Sequence, residues 1–279
     1  MTGVIDVGGG MRGIYAAGVL DCCLDEKVSF DVCIGISAGS ANIGSFLSGQ
    51  RGRNYRYYTD YAFRREYMSL YNYRTIGSFV DLDYIYSTLS NADGEYPLNY
   101  SAIASNPAAF YVVATNALTG DAKYFDKSDL SQDHYDILKA SCAIPSVCKP
   151  YIIDGIPYYD GALSDPVPVD KAFSLGCDRV VLILTKPRDT IRTSKKDDVL
   201  AAGIRKQFPE AAECLHARAE KYNRDVSRAK ELEKEGRVII VAPENTEGVD
   251  TLKRDKGAFY RLYSRGYSDG HAVREYLSS

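Results

Sequence analysis

A serine between two glycines is the first residue of this sequence that could do chemistry. Ser37 lies in Gly35-Ile36-Ser37-Ala38-Gly39, after an apolar run and before residues 40–47, which are predicted to form a helix. Glycine two residues before and after a serine, between a strand and a helix, is the pattern of a nucleophile elbow, a tight turn that exposes the hydroxyl. The N-terminus of the helix would offer N–H groups to an oxyanion. The pattern therefore predicts a nucleophilic serine.

A run of glycines lies one strand–helix crossover before this serine. A predicted strand, residues 2–7, ends in Gly8-Gly9-Gly10-Met11-Arg12-Gly13, and a predicted helix, residues 14–24, leads to the strand before Ser37. Parallel strands joined in this way are neighbours, so the glycine loop and Ser37 should meet at one edge of the sheet. We interpret the glycine N–H groups as donors to a developing oxyanion.

The same glycines allow two other interpretations. Gly8, Gly10 and Gly13 match the fingerprint of a dinucleotide-binding turn, which requires an acidic residue at the end of the second strand. Asp31 has about the right spacing, but it opens the predicted strand, residues 30–34, instead of ending it. A glycine-rich turn without chemistry is the second alternative.

An aspartate follows a predicted hairpin in the middle of the chain. Residues 151–162 contain two Asp-Gly pairs, and Asp154-Gly155 between two apolar runs predicts a hairpin turn. Asp160-Gly161 ends the second run and enters a loop that begins with Ala162. Asp160 is therefore positioned to act at a sheet edge, although an ordinary turn aspartate would look the same.

Composition excludes several classes of protein. The net charge of −3 predicts no general attraction to nucleic acid. No apolar run approaches the ~18 residues of a membrane span, and the first residues lack the pattern of a signal peptide, so we expect a cytoplasmic protein. Seven cysteines without a Cys-x-x-Cys pair predict buried free thiols, and the three histidines have no spacing that suggests a metal site. We expect no metal and no cofactor.

The other elements alternate between strands and helices, which predicts an α/β protein with one domain over residues 1–279. Residues 51–100 hold eleven tyrosines and six arginines, and they could be a helical cover or an entrance surface for an amphiphilic substrate. Further strands are predicted at 110–115, 123–125, within 151–160, 179–184 and 237–241, and further helices at 134–140, 169–175, 195–234 (one or two helices) and 258–276 (interrupted near Gly266).

The combined motifs resemble those of the patatin-like phospholipases. The resemblance covers about residues 3–190 and rests on the sequences 8–13, 35–39, 140–145 and 160–162. It implies a three-layer α/β/α fold with a mostly parallel central sheet and a helical cover, and lipid acyl hydrolysis by a Ser–Asp dyad without a cofactor. Ser37 would be the nucleophile and Asp160 the base. Gly9 and Gly10 would form the oxyanion hole with Arg12 in support, and Gly8, Gly13, Gly35, Gly39, Gly161 and Ala162 complete the motifs.

Several points depart from this family or remain open. Val7 replaces the smaller residue that many relatives have before the glycines, and residues 191–279 show little likeness. The chain order Ser37, Asp160 and His216 or His271 would also suit a triad esterase. A lipid-binding module without turnover is a third possibility. The expected partner is a lipid or another acyl ester, with peripheral membrane contact through residues 51–100; the oligomeric state is not predicted.

Overall fold

A computed structural model describes residues 1–278, which fold around one eight-stranded sheet. The strands are β1 Thr2–Asp6, β2 Val32–Ile36, β3 Ala109–Asn116, β4 Ala122–Phe125, β5 Tyr151–Ile153, β6 Ile156–Asp160, β7 Arg179–Ile183 and β8 Val238–Val241. Their order is β5-β6-β3-β2-β1-β7-β8, and β4 pairs with β3. Strands β3, β2, β1, β7 and β8 are parallel to one another. Strands β4 and β6 run antiparallel to β3, and β5 runs antiparallel to β6. The sheet is therefore mixed and mostly parallel.

Helices cover both faces of this sheet. They are α1 Ile14–Asp25, α2 Ala38–Leu47, α3 Arg53–Thr59, α4 Leu70–Thr75, α5 Tyr100–Ser105, α6 Asp136–Cys142, α7 Val169–Ser174, α8 Lys195–Ile204, α9 Pro209–Lys234 and α10 Lys256–Ser278. Successive side chains of β1 point to opposite faces of the sheet, and each face has its own apolar core. Val4 packs with α1, α2 and α10 on one face, whereas Ile5 packs with α7 and α9 on the other. This arrangement confirms the predicted three layers.

The carboxyl ends of the parallel strands bring the predicted motifs together. β1 pairs with β2 in a register that places Asp6 opposite Gly35, and β7 pairs with β1 on its other side. The loops after β1, β2 and β7 therefore leave the sheet at one edge. The antiparallel strand β6 also contributes to this region, because Asp160 pairs with Ala114 of β3.

Most predicted elements are present, but some of their bounds were wrong. Strand β2 begins at Val32 and includes Gly35 and Ile36, whereas Phe30 is buried outside the ladder. The charged region 195–234 forms the two helices α8 and α9. The predicted hairpin at Asp154-Gly155 is confirmed, because β5 pairs with β6 and both turn residues have the positive φ values that an Asp-Gly turn favours. The strands predicted at 110–115 and 123–125 also pair with each other, as β3 and β4. Of the helices in residues 1–278, none has both the length and the apolar character needed to cross a membrane.

The predicted interruption near Gly266 is also wrong, because α10 continues through it. Gly266 instead allows α10 to lie directly on α1. A Cβ atom at Gly266 would overlap the Tyr15 carbonyl oxygen, and one at Gly18 would overlap that of Tyr263. The absence of side chains at these two positions therefore sets the distance between the helices.

We predict that Gly266→Ala lowers the free energy of unfolding by about 2 kcal/mol, since the added methyl group forces two buried helices apart. Gly44→Ala in α2 is the matched control, because no atom lies within 4 Å of its added Cβ. That control should be neutral or gain up to about 1 kcal/mol from helix propensity. Urea denaturation of both variants measures the difference, and equal stabilities would contradict this view of the interface.

Candidate active site

The serine turn has the strained backbone that its glycines predict. Ser37, between β2 and α2, has φ 56° and ψ −134°, values that non-glycine residues rarely adopt. A Cβ atom at Gly35 would overlap the backbone of Ser40, and one at Gly39 would overlap the backbone of Asp6. Neither position has room for a side chain, because other parts of the backbone approach too closely. The resulting turn holds Ser37 at the end of β2.

A second serine holds the Ser37 backbone in this conformation. The Ser37 N–H donates to Ser141 Oγ at 2.8 Å, and that hydroxyl donates to the Val113 carbonyl oxygen at 2.6 Å. The Ser37 carbonyl oxygen accepts from Ser40 Oγ at 2.7 Å. Both backbone polar groups of the strained residue are therefore satisfied by α2 and α6 in the protein interior. Ser141 lies in the motif 140–145, but nothing in its residue type or spacing predicted this role.

Asp160 lies next to Ser37 and is almost fully buried, with 3% of its surface exposed. Its Oδ1 atom accepts from the Ala162 N–H at 2.9 Å. Burial raises the pKa of Asp160 above its ordinary value, while hydrogen bonding to the Ser37 side chain and the Ala162 N–H acts to lower it. Gly161 allows β3 to approach, because a Cβ atom there would overlap the Val113 carbonyl oxygen. The carboxyl group thus faces the serine from a site where water is largely excluded.

The glycine loop fits between the ends of β2 and β7. Gly8, Gly9 and Gly10 all have positive φ, at 64°, 121° and 61°. A Cβ atom at Gly8 would overlap the Ile36 carbonyl oxygen, and one at Gly9 would lie 2.6 Å from Thr185 Oγ1. Within residues 1–278, the N–H groups of Gly9 and Gly10 donate no hydrogen bond. These two donors are available to a ligand in the cleft.

The loop begins on a buried carboxylate that the sequence analysis missed. Asp6 Oδ1 accepts from the Gly8 N–H at 2.9 Å, and its Oδ2 accepts from Asn42 Nδ2, also at 2.9 Å. Asn42 Nδ2 also donates to the Gly13 carbonyl oxygen at 3.0 Å, so it joins both ends of the loop to α2. Burial raises the pKa of Asp6 to about 7, although the hydrogen bonds from Asn42 and Gly8 act to lower it. The signal in the sequence was a lone acidic residue in an apolar strand.

Arg12, near the end of the glycine loop, is bound to a segment far along the chain. Its Nη1 atom donates to Asp250 Oδ1 at 2.7 Å and to Thr251 Oγ1 at 3.1 Å. The Met11 N–H donates to the Thr251 carbonyl oxygen at 2.9 Å. At the start of α1, Gly13 leaves room for the Tyr58 hydroxyl, which a Cβ atom there would displace. The loop is therefore tied to a segment just before α10, far outside the motifs.

Two cavities of different character meet at Ser37. The first is a narrow pocket of about 70 Å³ with a mainly apolar lining that includes Met68, Leu82 and Ile85. The second is an open cleft of about 990 Å³ that contains the glycine loop, Asp160 and many charged side chains. A molecule bound across Ser37 would thus have an apolar part on one side and a polar part on the other.

The tyrosine-rich segment forms much of the apolar pocket. Tyr57, Tyr58, Tyr67 and Tyr86 line it, and all four are buried. Arg53 is buried among them, and its guanidinium donates to the Tyr57 hydroxyl and to Ser90 Oγ at 2.9 Å. Burial lowers the pKa of Arg53. The segment 51–100 is thus a packed cover, as the first interpretation has it, and its inner side lines a pocket beside Ser37.

The other candidate residues lie elsewhere. His216 contacts Asp198, His271 contacts Glu26, and none of the three histidines lines either cavity that contains Ser37. Asp31 accepts from the Thr2 N–H at 2.7 Å, at the edge of the sheet opposite the glycine loop, which argues against a role in binding ribose. A group of possible metal ligands lies between α1 and α10. It consists of Cys22, Glu26 and His271, whose ligand atoms are all within 4.8 Å of one another.

Two family models match most of the length of this chain. The sequence model of the patatin-like phospholipases matches residues 7–173, and that of a domain of unknown function (DUF6363) matches residues 208–278. The uncharacterized protein YjjU of Escherichia coli K12 is 31% identical over 185 residues, which are 64% of this chain and 50% of YjjU. The uncharacterized NTE family protein Rv1063c of Mycobacterium tuberculosis is 30% identical over 82 residues, 29% of this chain and 22% of that protein.

The chain thus spans half or less of the length of these curated relatives. A crystal structure of VipD from Legionella pneumophila aligns with 98% of this chain and 66% of its own, at a TM-score of 0.49 and 14% identity. The match of residues 7–173 covers more than half of the chain and includes the glycine loop, Ser37 and Asp160. The chain belongs to the patatin-like phospholipase family.

Proposed function

We propose that this protein is a lipid acyl hydrolase in which Ser37 is the nucleophile and Asp160 the general base. Family membership supports lipid acyl hydrolysis in general terms. The observation that carries the finer proposal is the proximity of the Ser37 side chain to the buried Asp160 carboxylate in one cleft, at the point where that cleft meets an apolar pocket. A nucleophile within reach of a base, beside free N–H donors, is the arrangement that acyl transfer requires.

In the first half of the reaction, Asp160 accepts the Ser37 proton while Oγ attacks the ester carbonyl carbon. The Gly9 and Gly10 N–H groups stabilise the oxyanion, where one such donor is worth about 3 kcal/mol. The intermediate collapses, the ester C–O bond breaks, and the alcohol leaves with the proton from Asp160. An acyl-enzyme on Ser37 remains. In the second half, Asp160 takes a proton from water, whose oxygen attacks the acyl carbonyl carbon. The bond between that carbon and Ser37 Oγ then breaks, Asp160 returns the proton to Oγ, and the fatty acid leaves.

The environment of Asp160 suits it for this role. An ordinary aspartate, with a pKa of about 3.9, is a weak base for a hydroxyl. Burial raises the pKa of Asp160, which makes the ionised form a stronger base. The nearby Arg192 and Arg218 act in the opposite direction and help to keep the carboxyl group ionised.

The apolar pocket is suited to the acyl chain of the substrate. Its lining comes mainly from the segment 51–100 and from residues around Ile144. On the outer side of this cover, α4 exposes Leu70, Tyr71 and Tyr73, directly after the pocket residue Met68. Apolar side chains in such a position can enter a lipid interface. We propose peripheral membrane contact here, which would place the pocket near its substrate.

Two alternatives lead to different experimental results. A triad esterase would need a histidine to move into the cleft, since His216 and His271 both lie on the exposed surface. In that case, one His→Ala substitution would abolish activity in a folded protein. A lipid-binding module without turnover would bind lipid, but its Ser37 would not react with a fluorophosphonate probe.

Ser37→Ala should abolish hydrolysis of p-nitrophenyl butyrate, and Asp160→Asn should lower kcat by about 10²–10⁴-fold, the usual contribution of a general base. Asp154→Asn is the matched control. It changes the other Asp-Gly pair, at a turn where asparagine suits the positive φ, and it should leave kcat unchanged. Steady-state kinetics of the three variants, with circular dichroism to verify folding, is the measurement. Full activity of Ser37→Ala or Asp160→Asn would refute the dyad.

Asp6→Ala should lower kcat at least tenfold with little change in KM, because the glycine loop loses the acceptor of its Gly8 N–H. Asp21→Ala is the matched control. Asp21 is also buried and accepts a backbone N–H, that of Gly52 at 3.0 Å, but it lies on α1 away from the cleft. Both variants should lose about 1–3 kcal/mol of stability. Equal kcat values for the two would show that Asp6 does not support the oxyanion hole.

A further inference from the structure

The cleft beside Ser37 is positively charged, although the whole chain carries a net charge of −3. Its lining includes seven lysine and arginine side chains but three carboxylates, one of which is Asp160. A concave surface of one sign of charge concentrates ligands of the opposite sign. The cleft therefore favours an anion next to the ester that Ser37 would attack.

The other two carboxylates are already paired with arginines. Asp250 binds Arg12 at 2.7 Å, and Asp197 binds Arg218 through Nε at 2.9 Å. Arg192 also lies 3.7 Å from Asp197 and above the ring of Tyr222. Proteins bind quaternary ammonium groups with aromatic faces and carboxylates. In this cleft, these two carboxylates and Tyr222 already contact arginines, so they are not free to bind such a group. The cleft is suited to a headgroup with net negative charge and not to a zwitterionic one.

Among the described residues, three lysines of this cleft form no ion pair, and Lys186 is the half-buried one, whereas Lys195 and Lys253 are exposed. In the part of the chain that the structure describes, no carboxylate lies within ion-pairing distance of the Lys186 ammonium group. Burial, and then repulsion by Arg12 and Arg192, lowers the pKa of Lys186 to about 8. A half-buried charge that is repelled by its neighbours is stabilised when an anion binds beside it.

The position of Lys186 connects this charge to the reaction. Lys186 directly follows Thr185, whose hydroxyl donates to the Gly8 carbonyl oxygen. The lysine therefore leaves the sheet beside the glycine loop. In an acyl glycerol phosphate, only a few bonds separate the acyl ester from the phosphate. A substrate with its carbonyl at the glycine loop can thus place its phosphate along this side of the cleft.

We propose that Lys186, Arg192 and Arg218 form a subsite for the phosphate group of an acidic acyl glycerol phosphate. This inference rests on the proposed function and specifies its substrate class. Arg218 belongs to α9, within the match to the domain of unknown function at residues 208–278. The proposal therefore also gives that region a role, which is to supply part of the headgroup subsite.

The test compares three substrates with the same acyl chain: lysophosphatidic acid, lysophosphatidylcholine and monoacylglycerol, all below their critical micelle concentrations. The wild type should have the highest kcat/KM on lysophosphatidic acid. Lys186→Met should lower that value at least tenfold, the effect of losing one charge-assisted hydrogen bond, and change the value on monoacylglycerol, which has no phosphate, less than about twofold. Lys206→Met is the control, since this exposed lysine on another surface does not line the cleft.

Equal kcat/KM values of the wild type on all three substrates would overturn the proposal, as would equal losses on all three in Lys186→Met. Inorganic phosphate and glycerol 3-phosphate are added separately as inhibitors of p-nitrophenyl butyrate hydrolysis. Inhibition by both, without any preference for lysophosphatidic acid among the substrates, would show a site for free phosphate and overturn the lipid assignment. Stronger inhibition by glycerol 3-phosphate supports it.

A binding experiment separates this inference from the proposed catalysis. Calorimetric titration of lysophosphatidic acid into Ser37→Ala protein needs no turnover. At least tenfold weaker binding by Ser37→Ala/Lys186→Met supports the subsite even if no ester is hydrolysed. Unchanged binding overturns the subsite even if neutral esters are hydrolysed by the wild type.

Discussion

The geometry of this site depends on the backbone of Ser37, which is held in a conformation that a free serine would leave. Three contacts keep it there: the close approach that Gly35 and Gly39 permit, the hydrogen bond from its N–H to Ser141, and that from Ser40 to its carbonyl oxygen. A strained residue persists only where its surroundings determine it in this way. The position of the Ser37 hydroxyl is therefore a product of core packing, and residues outside the cleft contribute to it.

Buried charge is the second common feature of the site. Asp6, Arg12 and Asp160 are each almost completely buried, and each has hydrogen-bond partners that offset part of the cost of removing a charge from water. Such groups interact more strongly with one another and with developing charge than exposed ones do. The loop after β1 lies between two of them, with Asp6 at its start and Arg12 near its end.

The parts of the candidate site that could be predicted from sequence are those whose geometry depends on residues close together in the chain. A serine between glycines, a glycine run and an Asp-Gly pair after a hairpin each require particular residues at fixed spacing. Ser37, Gly9, Gly10 and Asp160 could therefore be proposed as site residues, and the structure brings them into one cleft. Arg218, Asp250 and Lys186 could not, because they reach the cleft only through the packing of β7, α9 and the segment before α10. Gly266 was misjudged for the same reason: helix propensity predicted a break, and the contact with α1 decides otherwise.

The hydrogen bonds from Arg12 to Asp250 and Thr251 join the first loop of the chain to a segment about 240 positions later. A shortened protein that stopped after the matched region at residue 173 would keep the serine, the aspartate and the glycines. It would nevertheless expose the Arg12 guanidinium, release Met11 from its backbone acceptor and leave α1 without its neighbour α10. The smallest fragment that could keep this candidate site intact is therefore much larger than the motifs suggest.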